Sequence, residues 1–349
     1  MIAEKPAFKL IKTQNAVGHV LCHDITQIIP GVVKNARFRK GHVVTEEDIP
    51  VLLSMGKVSL YIWEKNDGFL HENEAAERLM TLCQNLYMHQ TSVKEGKIEL
   101  IADADGLFTV DTARLDAVNA LGDMIIATRH GNTAVKAGDV LLGGRVIPLV
   151  IPEKALEKAE ELAGDKPLIC LTPWKLKTAA LIIIAQEVFE GRITDAFTPV
   201  LTEKLGKYGI KISAHKITDD NCDHIQTAIV EMKKTAPDMI LCAGGMSVDP
   251  DDLTPDAIRG LCSNIITYGA PVLPGSMFLL GYFEDGIPII GLPGCVMYHN
   301  PTIFDIVLPR VVAGIPFSRE DFVAMWHGGL CLRCTQCHFP DCAFGKYSV

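Results

Sequence analysis

From residue 178 onward, short apolar runs alternate with amphipathic stretches of helical period, and few folds accommodate that pattern. Residues 180–185 and 238–243 read as strands short and apolar enough to be buried on both faces, and residues 210–216 as a further strand between them. Between them, residues 198–208 read as a helix closed by Gly209. Residues 222–235 read as a helix with Ile225, Ala228, Ile229 and Met232 on one side. A helix from Pro255, a strand over 287–291 and a helix after Pro301 complete the unit. Such alternation predicts an α/β domain built on a parallel sheet covered on both faces.

At 349 residues the chain exceeds one ordinary domain, and four sections are expected. Residues 1–66 form short strands, turns and one helix, with Thr45 as its N-cap, Ile49, Leu52 and Leu53 on its apolar face and Gly56 as its stop. A strand over 58–63 follows. Residues 67–165 hold a helix from Asn73 to about His89, then a small, mostly β part with one helix near 114–121. Turn signals there are Asp105 with Gly106, Gly131 with Asn132, Gly138 with Asp139, and Gly143 with Gly144. A charged helix over Glu153–Ala163 leads through a hinge into the α/β domain, 166–316, and residues 317–349 are a cysteine-rich tail.

The formal net charge of −9 offers no basic excess to displace counterions, which argues against a nucleic-acid partner but leaves room for a local phosphate pocket. No apolar run approaches a membrane span, and MIAEKPAFKLIKT lacks the core of a signal peptide, so a soluble, cytoplasmic chain is expected. Of eleven cysteines, Cys22, Cys83, Cys170, Cys222, Cys242, Cys262 and Cys295 lie singly in apolar contexts and read as reduced core residues.

In open parallel sheets, ligands sit beyond the carboxyl ends of the strands. The loop there that carries most information is GGMSVDPDDLTPDA, residues 244–257. Gly244 and Gly245 directly after a buried strand allow close approach of a ligand to the backbone, including the amides of Met246 and Ser247. Thr254 can cap the next helix, with Pro255 at its first position, and free N–H groups there can receive phosphate oxygens. Asp249, Asp251 and Asp252 oppose a phosphate unless a divalent cation, Mg2+ by its preference for hard oxygen ligands, bridges them. An acidic surface turn with a helix cap is the plainer alternative.

This loop resembles the glycine-rich signature of the molybdopterin-binding domain family, shared by molybdopterin adenylyltransferases and molybdopterin molybdenumtransferases. Further segments resemble that family in order and spacing: EVFEGRITDAFTPVL from Glu187, ITDD ending at Asp220, Leu273–Pro274–Gly275, and Gly291–Leu292–Pro293–Gly294. The resemblance covers about 135 residues and implies molybdopterin, or its adenylylated or metallated form, as ligand, with Mg2+ and with ATP or AMP. It implies that Asp252 acts with Mg2+ on phosphate or nucleotide and that Asp219 lies near the pterin. Glu187 and Asp195 would contact metal or ligand in the first loop. Gly244, Gly245, Met246, Ser247, Thr254, Pro274, Gly275, Pro293 and Gly294 would form the cradle. A helix cap for Asp219 and solvation for Asp195 stay open. Relatives of this kind assemble as dimers or trimers, and a molybdoenzyme is a possible client.

Departures from the family bear on catalysis. Ile184 and Ala185 stand where a threonine–glycine pair is usual, and Phe197 where an asparagine is. The proline–glycine–lysine–proline loop is Pro274–Gly275–Ser276–Met277 here. The missing lysine removes a charged hydrogen bond, worth about 1.5–3 kcal/mol. Cys295 and Val296 replace an asparagine–proline pair. VGHVL and RKGHVVTEEDIPVLLSMG in the first section resemble the start of the molybdenumtransferase, but its acidic methionine–aspartate–glycine–tyrosine segment has no counterpart in residues 24–37. That absence argues against direct molybdate insertion.

The remaining cysteines form Cys331-x2-Cys334-x2-Cys337-x4-Cys342, a spacing suited to Zn2+ or an iron–sulfur cluster, with His338 as a spare ligand and a disulfide as the alternative. Three functions are therefore open: adenylyl or molybdate transfer to molybdopterin, a non-catalytic carrier, sensor or insertion factor, and nucleotide hydrolysis.

Overall fold

A computed structural model describes residues 8–29, 33–63, 68–94 and 96–346. Residues 1–7, read above for a leader, and 30–32 of the 24–37 stretch lie outside the described residues. Among the described residues no helix is long and apolar enough to cross a membrane.

The chain forms two compact units. The first takes in residues 1–103, 111–129 and 138–169; the second takes in 104–110, 130–137 and 170–349. In the first, Phe8–Lys12 pairs antiparallel with Ser59–Trp63, and Ile25–Ile29 with Val33–Phe38. Leu21, Ile25, Phe38, Leu52 and Leu60 close a small core there. Thr45 is not the N-cap of the helix Asp48–Ser54; its N–H and hydroxyl both donate to Asp48, at 2.8 and 2.9 Å. The helix expected to reach His89 spans only Glu72–Thr81. Tyr87 takes φ +63° and turns the chain into the strand Met88–Gln90, which pairs with Lys97–Ala102. Gly143 and Gly144 are not a turn. They lie inside the strand Val140–Val146, where a side chain on Gly144 would overlap Met80. The helix Glu153–Ala163 forms as expected, and its Glu160 and Glu153 hold Arg78 at 2.6 and 2.8 Å.

The second unit is the α/β one. Its main sheet and the helices of six residues or more around it are β1 (Thr178–Ile184), α1 (Phe197–Gly206), β2 (Lys211–Thr218), α2 (Cys222–Lys234), β3 (Met239–Ala243), α3 (Thr254–Arg259), β4 (Asn264–Tyr268), β5 (Leu279–Tyr282), β6 (Pro288–Leu292), α4 (Ile303–Val312) and α5 (Arg319–Ala324). Sheet order is β2-β1-β3-β6-β5-β4. The first four strands run parallel, and β5 and β4 extend the sheet antiparallel, an edge the apolar pattern did not reveal.

Side chains along β1 alternate between two cores, as strand geometry requires. Ala179, Leu181 and Ile183 pack with Phe197, Leu201 and Leu205 of α1 and with Phe304, Val307 and Val311 of α4. Ala180, Ile182 and Ile184 pack with Ile225, Ala228 and Ile229 of α2 and with Ala257 and Ile258 of α3. Full burial on both faces explains why β1 and β3 read as apolar runs, whereas β2, at the sheet edge, keeps exposed polar residues. Residues beyond 316 are part of this packing: Phe317, Phe322, Met325 and Phe344 belong to the first of these cores.

The register aligns the carboxyl ends. Ile184 pairs with Thr218, Ile183 with Ala243, and Ala243 with Leu292, so the loops after β1, β2, β3 and β6 leave the sheet at one edge.

Candidate functional site

At that edge lies an open cleft of about 540 Å³. From the loop after β3 come Gly244, Gly245, Met246, Ser247 and Asp252; from the β4–β5 connection, Pro274 and Gly275; from the loop after β6, Pro293 and Gly294. Ser276, Cys295 and His299 border it as well. Residues scattered over some fifty positions of sequence thus share one concave surface, because three strand ends are in register.

The glycines act differently from the sequence expectation. Gly244 has φ +107°, and a Cβ on it would overlap the carbonyl oxygen of Ile184. Gly245 has φ +59°, and a Cβ would lie 2.5 Å from Thr254 Oγ1. Both are therefore demanded by packing within the protein itself, and neither needs a ligand to explain it. Gly275 has φ +114°, and a Cβ on it would lie 2.6 Å from Ile303 Cγ2.

Thr254 does not cap α3. It is the first helical residue, fully buried, and its hydroxyl donates to Gly244 O at 2.9 Å, tying the loop's start to its end. With only six residues, α3 offers little dipole to an anion. Asp252 accepts the Ser247 N–H at 2.8 Å and so closes the loop from the other side. Met246 turns its side chain into the core against Gly291, and its carbonyl accepts the Tyr268 hydroxyl at 3.0 Å, so only its backbone is offered to the cleft. Among the described residues, the N–H groups of Gly245 and Met246 donate to no partner.

Asp220, which sequence reasoning passed over in favour of Asp219, is the focus of the acidic group. Burial raises its pKa above the usual carboxylate value, and the charges of Glu187, Asp252 and Asp219 raise it further. It accepts the Gln186 N–H at 3.1 Å and so holds the loop after β1. The three other carboxylates are near enough for their charges to be felt at Asp220, yet their own partners and exposure divide them. Asp219 accepts from Asn221 N at 3.2 Å and meets His224 Nδ1 at 2.9 Å, while Glu187 is exposed. The signal for Asp220 was the second acid of ITDD, whose burial the sequence does not disclose.

Asp195 is apart from the cleft. Its carboxylate accepts the N–H groups of Phe197 and Thr198 at 2.8 and 3.1 Å, which satisfies the first turn of α1, and it lies 3.7 Å from His215. It is a helix-end residue here.

Cys331, Cys334, Cys337, Cys342 and His338 border one cavity of about 90 Å³. Cys331 and Cys342 pack against the first core of the α/β unit, and Cys334 and Cys337 are exposed. Among the described residues no three His, Cys, Asp or Glu side chains stand together as a metal-binding group, either here or at Asp252. Neither Zn2+, an iron–sulfur cluster nor Mg2+ thus has an assembled ligand set, and no step below is routed through one.

The site is thus an open cleft at the carboxyl edge of an α/β sheet, bordered by glycine-containing loops. The sequence profile of the family described as "Probable molybdopterin binding domain" matches residues 180–313. A second profile, of a domain of unknown function, matches residues 10–64. A "Putative competence-damage inducible protein" of Bacillus cytotoxicus and one of Bacillus mycoides are each 30% identical over 95 residues, 27% of this chain. The chain spans 23% of the length of those relatives. Among solved structures, the molybdopterin biosynthesis enzyme MoaB of Thermus thermophilus is 21% identical, with 41% of this chain and 100% of that one covered at a TM-score of 0.35. CinA of Thermoplasma acidophilum, described as of unknown function, is 18% identical, with 34% and 89% covered at a TM-score of 0.31.

Proposed function

We propose that this cleft binds molybdopterin and that the chain serves in making or handling molybdenum cofactor. The observation that carries this is the convergence of Gly244–Ser247, Pro274–Gly275 and Pro293–Gly294 on one concave surface with two unengaged backbone N–H groups. Unpaired amides at a strand end suit phosphate oxygens, and an open cleft of this size admits a bicyclic or tricyclic ring.

Binding is the primary role in this reading. Asp252 is occupied in closing its own loop, and the carboxylates around Asp220 are not gathered into a metal group, which favours a carrier or insertion factor over a transferase. The four-cysteine segment enters as a candidate zinc or iron–sulfur site on the strength of its shared cavity. Iron and zinc analysis of anaerobically purified protein tests that part.

The main test incubates the full chain with molybdopterin, ATP and Mg2+. Tight pterin binding without pyrophosphate release supports the carrier. Release of pyrophosphate with adenylylated pterin, abolished by Asp252→Ala, supports the transferase. No pterin binding at all overturns the proposal and makes nucleotide hydrolysis the next assay.

A further inference from the structure

A phosphate in this cleft meets the wrong charge: Asp252 borders it, and Glu187, Asp219 and Asp220 stand nearby. The Pro274–Gly275 loop continues with Ser276 and Met277, so it contributes no cation. One Lys or Arg borders the cleft among the described residues, and it comes from elsewhere in the chain: Arg333.

Arg333 belongs to the cysteine-rich segment, which is bound to the cleft's own loop through the backbone. Leu273 N–H donates to Gly329 O and Cys331 N–H to Leu273 O, both at 2.8 Å, so Leu273 and Leu330 form a parallel bridge. Gly329 is seated against the carbonyl oxygens of Pro271 and Met325, where no side chain fits. The path into Arg333 is therefore set two to four residues upstream. Arg333 itself takes φ +52°, and its exposed guanidinium has no hydrogen-bond or ion-pair partner among the described residues.

The geometry points to Arg333 as a ligand-binding residue of this cleft, contacting the phosphate of the bound pterin with its guanidinium. The planar, always-charged fork suits a phosphate. In this arrangement the cysteine-rich segment is a wall of the binding site, and its order governs affinity. The inference rests on the pterin reading of the cleft.

The test is fluorescence titration of the full chain with molybdopterin and with its dephosphorylated pterin, for wild type, Arg333→Ala and Arg333→Lys. Arg333→Ala is expected to weaken molybdopterin binding by about 10- to 100-fold. It should leave the dephosphorylated pterin unaffected, and Arg333→Lys should recover part of the loss. Circular dichroism of each variant checks the fold. Equal molybdopterin affinity in wild type and Arg333→Ala overturns the assignment, as does equal loss of both ligands. A wild-type chain that binds neither pterin overturns the cleft reading, and this inference with it.

Discussion

A Cβ on Gly244 would fall 2.0 Å from the carbonyl oxygen of Ile184, so no side chain fits between the two residues. Ile184 ends one strand and Gly244 follows the end of its parallel neighbour, and their contact sets where the candidate loop begins. Gly244→Ala combines that overlap with a left-handed φ of +107°. It is expected to destabilise the α/β unit by about 3 kcal/mol or more. Urea unfolding followed by far-UV circular dichroism measures this, and a loss well under 1 kcal/mol would contradict the packing role.

Asp220 predicts a pH effect of defined sign. Its folded-state pKa is raised above the ordinary 3.8 by burial, then by Glu187, Asp252 and Asp219. The folded state therefore holds the proton more tightly, and the stability from this site is full below the unfolded value and lost as pH rises through the folded one. Asp220→Asn is expected to melt above wild type at neutral pH, with the gap closing as pH falls toward 3.8. A gap that widens on acidification would reverse the sign and refute the assignment.

Lys204 and Asp305 make a nearly buried ion pair, 2.5 Å apart with side chains 4% and 11% exposed, and Asn300 accepts a second Lys204 bond at 3.1 Å. Asp305 also caps α4 by accepting the Thr302 N–H at 2.7 Å. Lys204→Met leaves that carboxylate uncompensated and is expected to cost about 3–5 kcal/mol. Thermal melts of the variant at fixed pH give the answer, and a variant as stable as wild type would show the pair to be dispensable.

His71 predicts acid sensitivity of the first unit. It is fully buried, caps Glu72–Thr81 through Nδ1 by accepting the Asn73 N–H at 3.2 Å, and bonds Cys22 O through Nε2. Burial lowers its pKa below the ordinary 6.5. Stability from this site is present above 6.5 and declines as pH falls through the lowered folded value. The urea midpoint of that unit should drop over this range, and the neutral His71→Gln should lack that component of the drop. An unchanged pH slope in His71→Gln would place the sensitivity elsewhere.

Much of the α/β unit was legible because its strands are buried on both faces. A run such as Ala179–Ala180–Leu181–Ile182–Ile183–Ile184 has no polar side to hide, so burial is written directly in residue type. The edge strand Asn264–Tyr268 was missed for the converse reason, and Leu279–Tyr282 beside it because four buried residues are too short a run to mark a strand. They run antiparallel, and β4 is only partly covered, so it carries mixed residues. The helix expected to reach His89 failed because apolar spacing continues past Thr81, while Tyr87 reverses the backbone.

The likeness to the molybdopterin-binding family was carried by the quoted motifs; residue type and spacing alone determined the α/β class of residues 166–316 and its loop at Gly244. These follow from local hydrophobic period and from glycines that tolerate few substitutes. Tertiary structure alone decided that the glycines answer to Ile184 and Thr254, that Asp220 is the partly buried acid on which its neighbours' charges act, that Asp195 serves a helix end, and that Arg333 borders the cleft. Each depends on which strand ends align and which distant segment docks there, and no linear pattern encodes a distance between residues sixty positions apart.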